Sequence, residues 1–324
     1  MANTKEIQKR INSIQDTMKI TKAMYMMSSM KLRKAKQKLE DTEPYFFGLQ
    51  EQIRSILYHF PQMQHLYFDN RISDLQEEVK SKGYIVITSD KGMAGAYNHN
   101  VIKEAKRLCD ETEDYIIFAI GENGRHFFKS QKYNVKEDFR FSANNPSVHR
   151  ARVIAENIVQ LYKEEKLDEI YIVYTKMTHG IKEEVEVAQL LPLKTASFVK
   201  AEMIEEAKKG LSDNTLEELD SANDYFLIYP SPKKVLENLV YNYVTGFIYG
   251  ALVEGSASEE NARMMAMQSA TDNAEAMLRE LSIEYNRVRQ AAITQEITEV
   301  IGGAKALRNK KAKKKKQLTR VKQV

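Results

Sequence analysis

Residues 233–301 read KKVLENLVYNYVTGFIYGALVEGSASEENARMMAMQSATDNAEAMLRELSIEYNRVRQAAITQEITEVI, and no proline interrupts this stretch or anything after it. Taken as one helix at about 1.5 Å per residue it spans roughly 100 Å, whereas a domain of about 100 residues has a radius of gyration of only about 13 Å. The run therefore predicts a projecting rod that needs a partner helix to stay stiff. Within it Ala270, Ala274, Met277, Leu281, Tyr285, Val288, Ala292 and Gln295 step by three and four, the spacing of a coiled-coil seam. The repeated four-step from Leu281 to Tyr285 predicts a local relaxation of the supercoil.

The partner is at the other end of the chain. Ile7, Ile11, Ile14, Met18, Thr21, Tyr25, Ser28, Leu32, Ala35 and Leu39 alternate steps of four and three, with small residues at Ser28 and Ala35 that permit close backbone approach. Pro44 predicts a kink or restart before the pattern resumes at Ile53, Ile56 and Leu57 and stops at Pro61. Between the two rods the period changes. Tyr84–Thr88, Tyr115–Ile120 and Glu169–Tyr174 are short apolar runs separated by helical patterns over Asn98–Cys109 and Ser147–Glu164, the alternation of a parallel sheet flanked by helices. Val185–Leu191 predicts a strand with a different connection, and Tyr225–Tyr229 a last short one.

The expected class is thus α/β: a long antiparallel coiled coil of the N- and C-terminal helices, with an inserted Rossmann-like, mainly parallel sheet domain. The predicted segments are 1–75 (first coiled-coil helix), 76–205 (globular domain), 206–307 (strand and long helix) and 308–324, a lysine-rich tail expected to be disordered.

Composition narrows the function. With 29% charged and 43% hydrophobic residues the chain has the balance of a soluble protein with a real core. The apolar run Ile248–Val253 is too short to span a bilayer. The single Cys109 excludes an internal disulfide and reads as a small buried hydrophobe. The net charge of +4 conceals a strongly basic end, because from Arg308 onward there are nine lysines and arginines and no acid. The six histidines, His59, His65, His99, His126, His149 and His179, lack metal-ligand spacing, and no nucleophile motif is present. The expectation is a chain that catalyses nothing itself and holds no cofactor or metal. The turn at Gly92 and Gly95 lacks G-x-G-x-x-G spacing and carries Asp90 where a phosphate would approach, so it predicts a structural turn and not a nucleotide site.

These residues resemble one family. The opening IQKRINSIQDTMKITKAMYMMSSMKLRKA (7–35), TSDKGMAGAYN (88–98), QLLPL (189–193), YPSPKKVLENL (229–239), ASEENARMMAMQSATDNA (257–274) and YNRVRQAAITQEITEVIGGAKAL (285–307) are similar, in order, to the gamma subunits of F-type ATP synthases. The resemblance covers residues 3–307. It implies a rotor: an asymmetric axle inside a hexameric ring of alpha and beta subunits, its α/β body seated with an epsilon subunit on a membrane ring of c subunits, peripheral on the cytoplasmic face of a bacterial cell membrane. Rotation driven by proton or sodium flow would then force the beta subunits through their states, with no direct small-molecule substrate and no specific nucleic acid for this chain.

The resemblance also implies site roles. Lys31, Arg33, Lys34 and Lys36, with Lys38 beside them, match a basic run that meets an acidic lever of beta subunits, and Met24 matches a shaft position beside beta. Arg289 and Gln290 match contacts to a beta catch loop, with Arg263 a similar candidate. Asp90, Lys91, Gly92 and Gly95 form a turn at the stalk foot, where the family shows Arg in place of Lys91 and commonly Cys in place of Ala94. The seam is expected at Ile7, Ile11, Ile14, Met18, Leu32, Ala35, Ala274, Leu281, Val288 and Ala292. Family members usually stop near the match of Leu307, so the tail is a departure, expected to stay solvated or to bind anionic lipid, nucleic acid or an acidic partner. The tail, with small alanines replaced at Ser28-Ser29-Met30, keeps open a gamma-like paralogue of a divergent rotary complex. A nucleic-acid-binding coiled coil is the second alternative, although Arg308–Val324 has no aromatic residue for base stacking.

Overall fold

The computed structural model describes residues 4–60, 63, 65–68, 81–178, 182–194, 198 and 228–321, the last ten as backbone alone. In chain order these form α1 (Thr4–His59), β1 (Lys82–Ile87), α2 (Tyr97–Asp110), β2 (Tyr115–Ile120), α3 (Glu122–Ser130), α4 (Val148–Lys163), β3 (Glu169–Thr178), β4 (Lys182–Leu191) and α5 (Pro232–Val321). The segment 225–227 of the last expected strand, and His179, lie outside the described residues.

The sheet has the order β2-β1-β3-β4, with β1 parallel to both β2 and β3, and β4 returning antiparallel as an edge strand. Buried side chains alternate between its faces. Ile85, Ile87, Ile170 and Ile172 join α4, α1 and α5 in one core cluster. Tyr84, Val86 and Val173 face a second cluster built on Val101 and Ala105 of α2 and Phe128 of α3. A parallel strand covered on both sides is apolar throughout, which is why YIVIT shows no period of two.

Cys109 is buried in the second cluster, and burial pushes its thiol up to about 12, so it behaves as a small apolar side chain. Ser231 and Pro232 start α5 in the expected way. The Ser231 hydroxyl accepts from the Lys234 amide at 3.4 Å, and proline takes the first helical position, where no donor is required.

The chain divides into two compact units, residues 1–24 with 267–324 and residues 25–266, and both long helices contribute to each. In the larger unit α1 and α5 run antiparallel, since Lys31 pairs with Glu260 while Phe46, further along α1, stacks on Tyr243, further back along α5. The smaller unit joins the first turns of α1 to α5 through a buried hydrogen bond between Thr21 and Thr271, 2.8 Å.

Three expectations need correction. Pro44 neither kinks nor restarts α1 enough to break it; the helix is continuous to His59, and Leu49, Ile53 and Ile56 beyond the proline lock it to the core. The chain beyond Leu307 is helical to Val321, because lysine, alanine, leucine, glutamine and arginine are good helix formers and neither glycine nor proline follows Gly303. The seam of α5 is shifted. Met267, Thr271 and Ala274 are buried and Leu278, Leu281, Tyr285 and Val288 partly so, whereas Met277 and Ala292 are exposed. Placing Thr271 and Leu278 in the seam gives an unbroken alternation of four and three, so the relaxation expected at Leu281–Tyr285 is absent. Ala292 falls off the seam because every residue from Arg289 to Lys311 is exposed.

Candidate functional site

On α1 all ten seam positions from Ile7 to Leu39 are buried or half-buried, and nearly every position between them is exposed. The basic run is set by this geometry: with Leu32 and Ala35 turned inward, Lys31, Arg33, Lys34 and Lys36 are left in solvent. Met24 is half-buried on the same helix.

Lys31 is tied inward by its tip. Its ammonium donates to Glu260 on α5 at 2.8 Å, and the same carboxylate takes the Arg263 guanidinium at 3.0 Å, while Arg263 also pairs with Glu259 at 2.5 Å. The side chains of Glu259, Glu260 and Arg263 are only 4, 5 and 9% exposed. Burial pushes the Glu259 carboxyl up against the pull of Arg263. For Glu260 the burial cost is outweighed by Lys31, backed by Ser28 and Arg263, and the carboxyl is held below its ordinary value.

Arg263 also donates to the main-chain carbonyls of Lys91 and Gly92, at 3.4 Å each. It is therefore consumed inside the chain and is not the free surface contact expected from the sequence. Two acids three and four residues before an arginine on one helix were a legible signal for this network.

The turn that Arg263 holds is an anchored structural element. Asp90 accepts from the Glu122 amide at 3.2 Å, from Ser142 at 2.5 Å, and from the amide and side chain of Asn144 at 3.1 and 2.8 Å. Its carboxylate is committed to stitching three loops together. Left-handed backbone occurs at Met93 and Gly95, and Gly95 with φ of 53° supplies the reversal into α2. Gly92 needs no such conformation and serves through its carbonyl.

Beneath the turn, Gly255 of α5 sits so close to the sheet that an added Cβ would lie 3.1 Å from Ile87 and 3.3 Å from the Tyr97 hydroxyl. Asn261 reaches Glu183 of β4 at 2.9 Å, and Ser258 donates to the Thr175 carbonyl at 3.1 Å. One helix turn thus fastens α1, β3, β4 and the β1–α2 loop.

Lys31, Lys34, Lys38 and Lys91 meet around a cleft of about 550 Å³, with Asn144 and Pro146 on its far wall. Lys38 donates to the Pro146 carbonyl at 3.3 Å. The structure thereby joins the basic run to Lys91, a connection that periodicity cannot reveal. Arg33 and Lys36 are exposed and do not line this cleft, and Arg289 and Gln290 are exposed on the part of α5 that belongs to the smaller unit. Among the described residues no group of acids, histidines or cysteine is placed to hold a metal, and no helix is long and apolar enough to cross a membrane.

Two long helices with an inserted, mainly parallel sheet define the fold class, and comparison with known proteins gives the family. The family model described as ATP synthase matches residues 3–307. The ATP synthase gamma chain of Acetivibrio thermocellus is 41% identical over 95% of this chain and all of its own length. That of Alkaliphilus metalliredigens is 42% identical over 94% of this chain and 98% of its own. The "ATP synthase gamma chain, sodium ion specific" of Acetobacterium woodii is 37% identical over 94 and 99%. A chain in the central stalk and c-ring structure of the Tetrahymena thermophila mitochondrial ATP synthase shares the fold with a TM-score of 0.54 at 21% identity, covering 78% of this chain and 99% of that one. The chain belongs to the ATP synthase gamma chain family.

Proposed function

We propose that this chain is the central-stalk shaft of an F-type ATP synthase, turned by ion flow through a c ring and felt by the alpha and beta subunits that surround it. In this reading it catalyses nothing itself, sits at the cytoplasmic face of the membrane with an epsilon subunit, and transmits force. A shaft can drive neighbours between states only if each orientation contacts those states differently. The observation that carries the reading is the two-fold character of α5, whose first third is built into the sheet core while its residues from Arg289 to Lys311 are bare. Ile293, Ile297, Val300, Ile301 and Leu307 are exposed there on a continuous helix, an apolar stripe that suits enclosure by other chains.

The lysine cleft supplies a complementary seat for an acidic segment of a beta subunit. Unit charges 4 Å apart are worth about 4 kcal/mol at an effective dielectric of 20 and nearer 1 in water, so no single lysine dominates. Lys34→Ala is therefore expected to change ATP-driven rotation little. Replacing Arg289 and Gln290 together by alanine slows steady-state ATPase of the assembled complex, through lost directional hydrogen bonds at one rotary angle. Met24→Lys loosens the coupling of rotation to catalysis. An unchanged ATPase rate in the Arg289/Gln290 double variant removes the catch-loop role, and complete loss of rotation on Lys34→Ala alone contradicts distributed contact.

A further inference from the structure

Between α1, α5 and the β3–β4 edge the structure leaves a cavity of about 330 Å³, within the larger unit and apart from the lysine cleft. Phe46, Phe47, Phe247 and Tyr174 wall it. Its charges are one-sided: Glu43 enters from α1, Glu254 from α5 and Glu186 from β4, against the single ammonium of Lys176, which pairs with Glu186 at 3.2 Å and also acts on Glu254, a carboxyl further held by the Met177 main chain. Burial, opposed by Lys176 and reinforced by Glu186, pushes the Glu254 carboxyl up.

The floor of the cavity is Gly250. A Cβ there would touch nothing within 4 Å, so packing gives no reason for a glycine that costs a helix about 1 kcal/mol relative to alanine. Gly246, one turn earlier, has such a reason, since its Cβ would lie 3.2 Å from Phe46.

We propose that this cavity is a binding site for a small organic cation with an aromatic or branched apolar body, the body seated among the rings and the ammonium on Glu254. Pockets of this size with aromatic walls and a few convergent polar groups are the usual form of small-ligand sites, and a cation beside aromatic faces gains further attraction. Nothing in the rotary role requires it.

The test is calorimetric titration of the full chain with phenethylammonium and, as its opposite-charge counterpart, phenylacetate. Phenethylammonium binds saturably and phenylacetate at least about tenfold more weakly. Glu254→Gln lowers the amine affinity by about tenfold, and wild-type affinity rises with pH as Glu254 loses its proton in the field of Glu43, Glu186, Lys176 and Tyr174. Gly250→Leu sets a side chain into the cavity and abolishes amine binding while the thermal midpoint does not fall. Equal binding of the two probes, no saturable binding of either, or amine binding that survives Gly250→Leu overturns the proposal. If Gly250→Leu leaves amine binding intact but weakens attachment of another subunit to the assembled complex, the cavity is a protein seat and the proposal fails.

Discussion

The two ends of α5 share one backbone and live in different solvents. Leu236, Val240, Val244, Ile248 and Leu252 are buried against the sheet body, whereas from Arg289 to Lys311 every side chain is exposed. Most helical stability in proteins comes from packing an apolar face, so the first end is held by the fold. The second end is held by propensity alone, and it nevertheless carries large aliphatic side chains that a self-sufficient helix has no use for. Burying such a side chain fully is worth about 1.5–3 kcal/mol, which nothing among the described residues supplies.

The contrast predicts unequal responses to the same chemistry. Ile248→Asp places a carboxylate in the core and destabilises the larger unit by more than about 4 kcal/mol, seen as loss of its cooperative thermal transition. Arg263→Ala strands Glu259 in the interior and leaves Glu260 only Lys31, and it costs about 3–5 kcal/mol by chemical denaturation, with part regained when Glu259→Gln is added. In the smaller unit Thr21→Val removes the hydrogen bond to Thr271, whose hydroxyl still donates to the Met267 carbonyl at 2.8 Å, and costs about 1 kcal/mol. The double change Thr21→Val with Thr271→Val costs less than the sum of the two single changes, because both remove the same shared hydrogen bond.

A smaller effect depends on pH. Burial raises the Glu183 carboxyl, opposed by the Asn261 side chain, so the folded chain keeps that proton to higher pH than the unfolded chain. Its contribution to stability is full below the ordinary carboxylate value and is lost as pH rises through the raised one, and Glu183→Gln flattens that part of the stability profile. Smallest of all, Ile297→Asp shifts the melting of the isolated chain by no more than about 0.5 kcal/mol, yet weakens recovery of the assembled complex. A large loss of stability in the isolated chain would show that this end packs on something within the chain itself.

The frame was readable from the sequence because both rods and the sheet are written in period. Ile7 to Leu39 could be placed position by position, since a heptad fixes the face without knowledge of the partner. The seam of α5 was read one residue out at Met277 because alanines and methionines are common there, and a polar Thr271 does not look like a seam residue until Thr21 is seen opposite it. The fate of Arg263 was hidden for another reason. A surface-type residue becomes internal only when α1, β4 and the β1–α2 loop converge on it, and those contacts span up to 229 positions of sequence, as between Lys31 and Glu260. Asp90 shows the same limit: its sequence context argues against phosphate, but only the folded chain reveals that Ser142 and Asn144 are what it holds.

Among the described residues the returning strand β4 stands at one edge of the sheet, paired with β3. Unprotected rims invite a second molecule to add its own strand, which would divert newly made subunits into aggregates before assembly. Glu183, Glu184 and Glu186 stand along β4, with Glu183 accepting from Asn261 at 2.9 Å and Glu186 paired with Lys176 of β3 at 3.2 Å. Acid along an edge strand works against such pairing, because like charges set opposite one another repel.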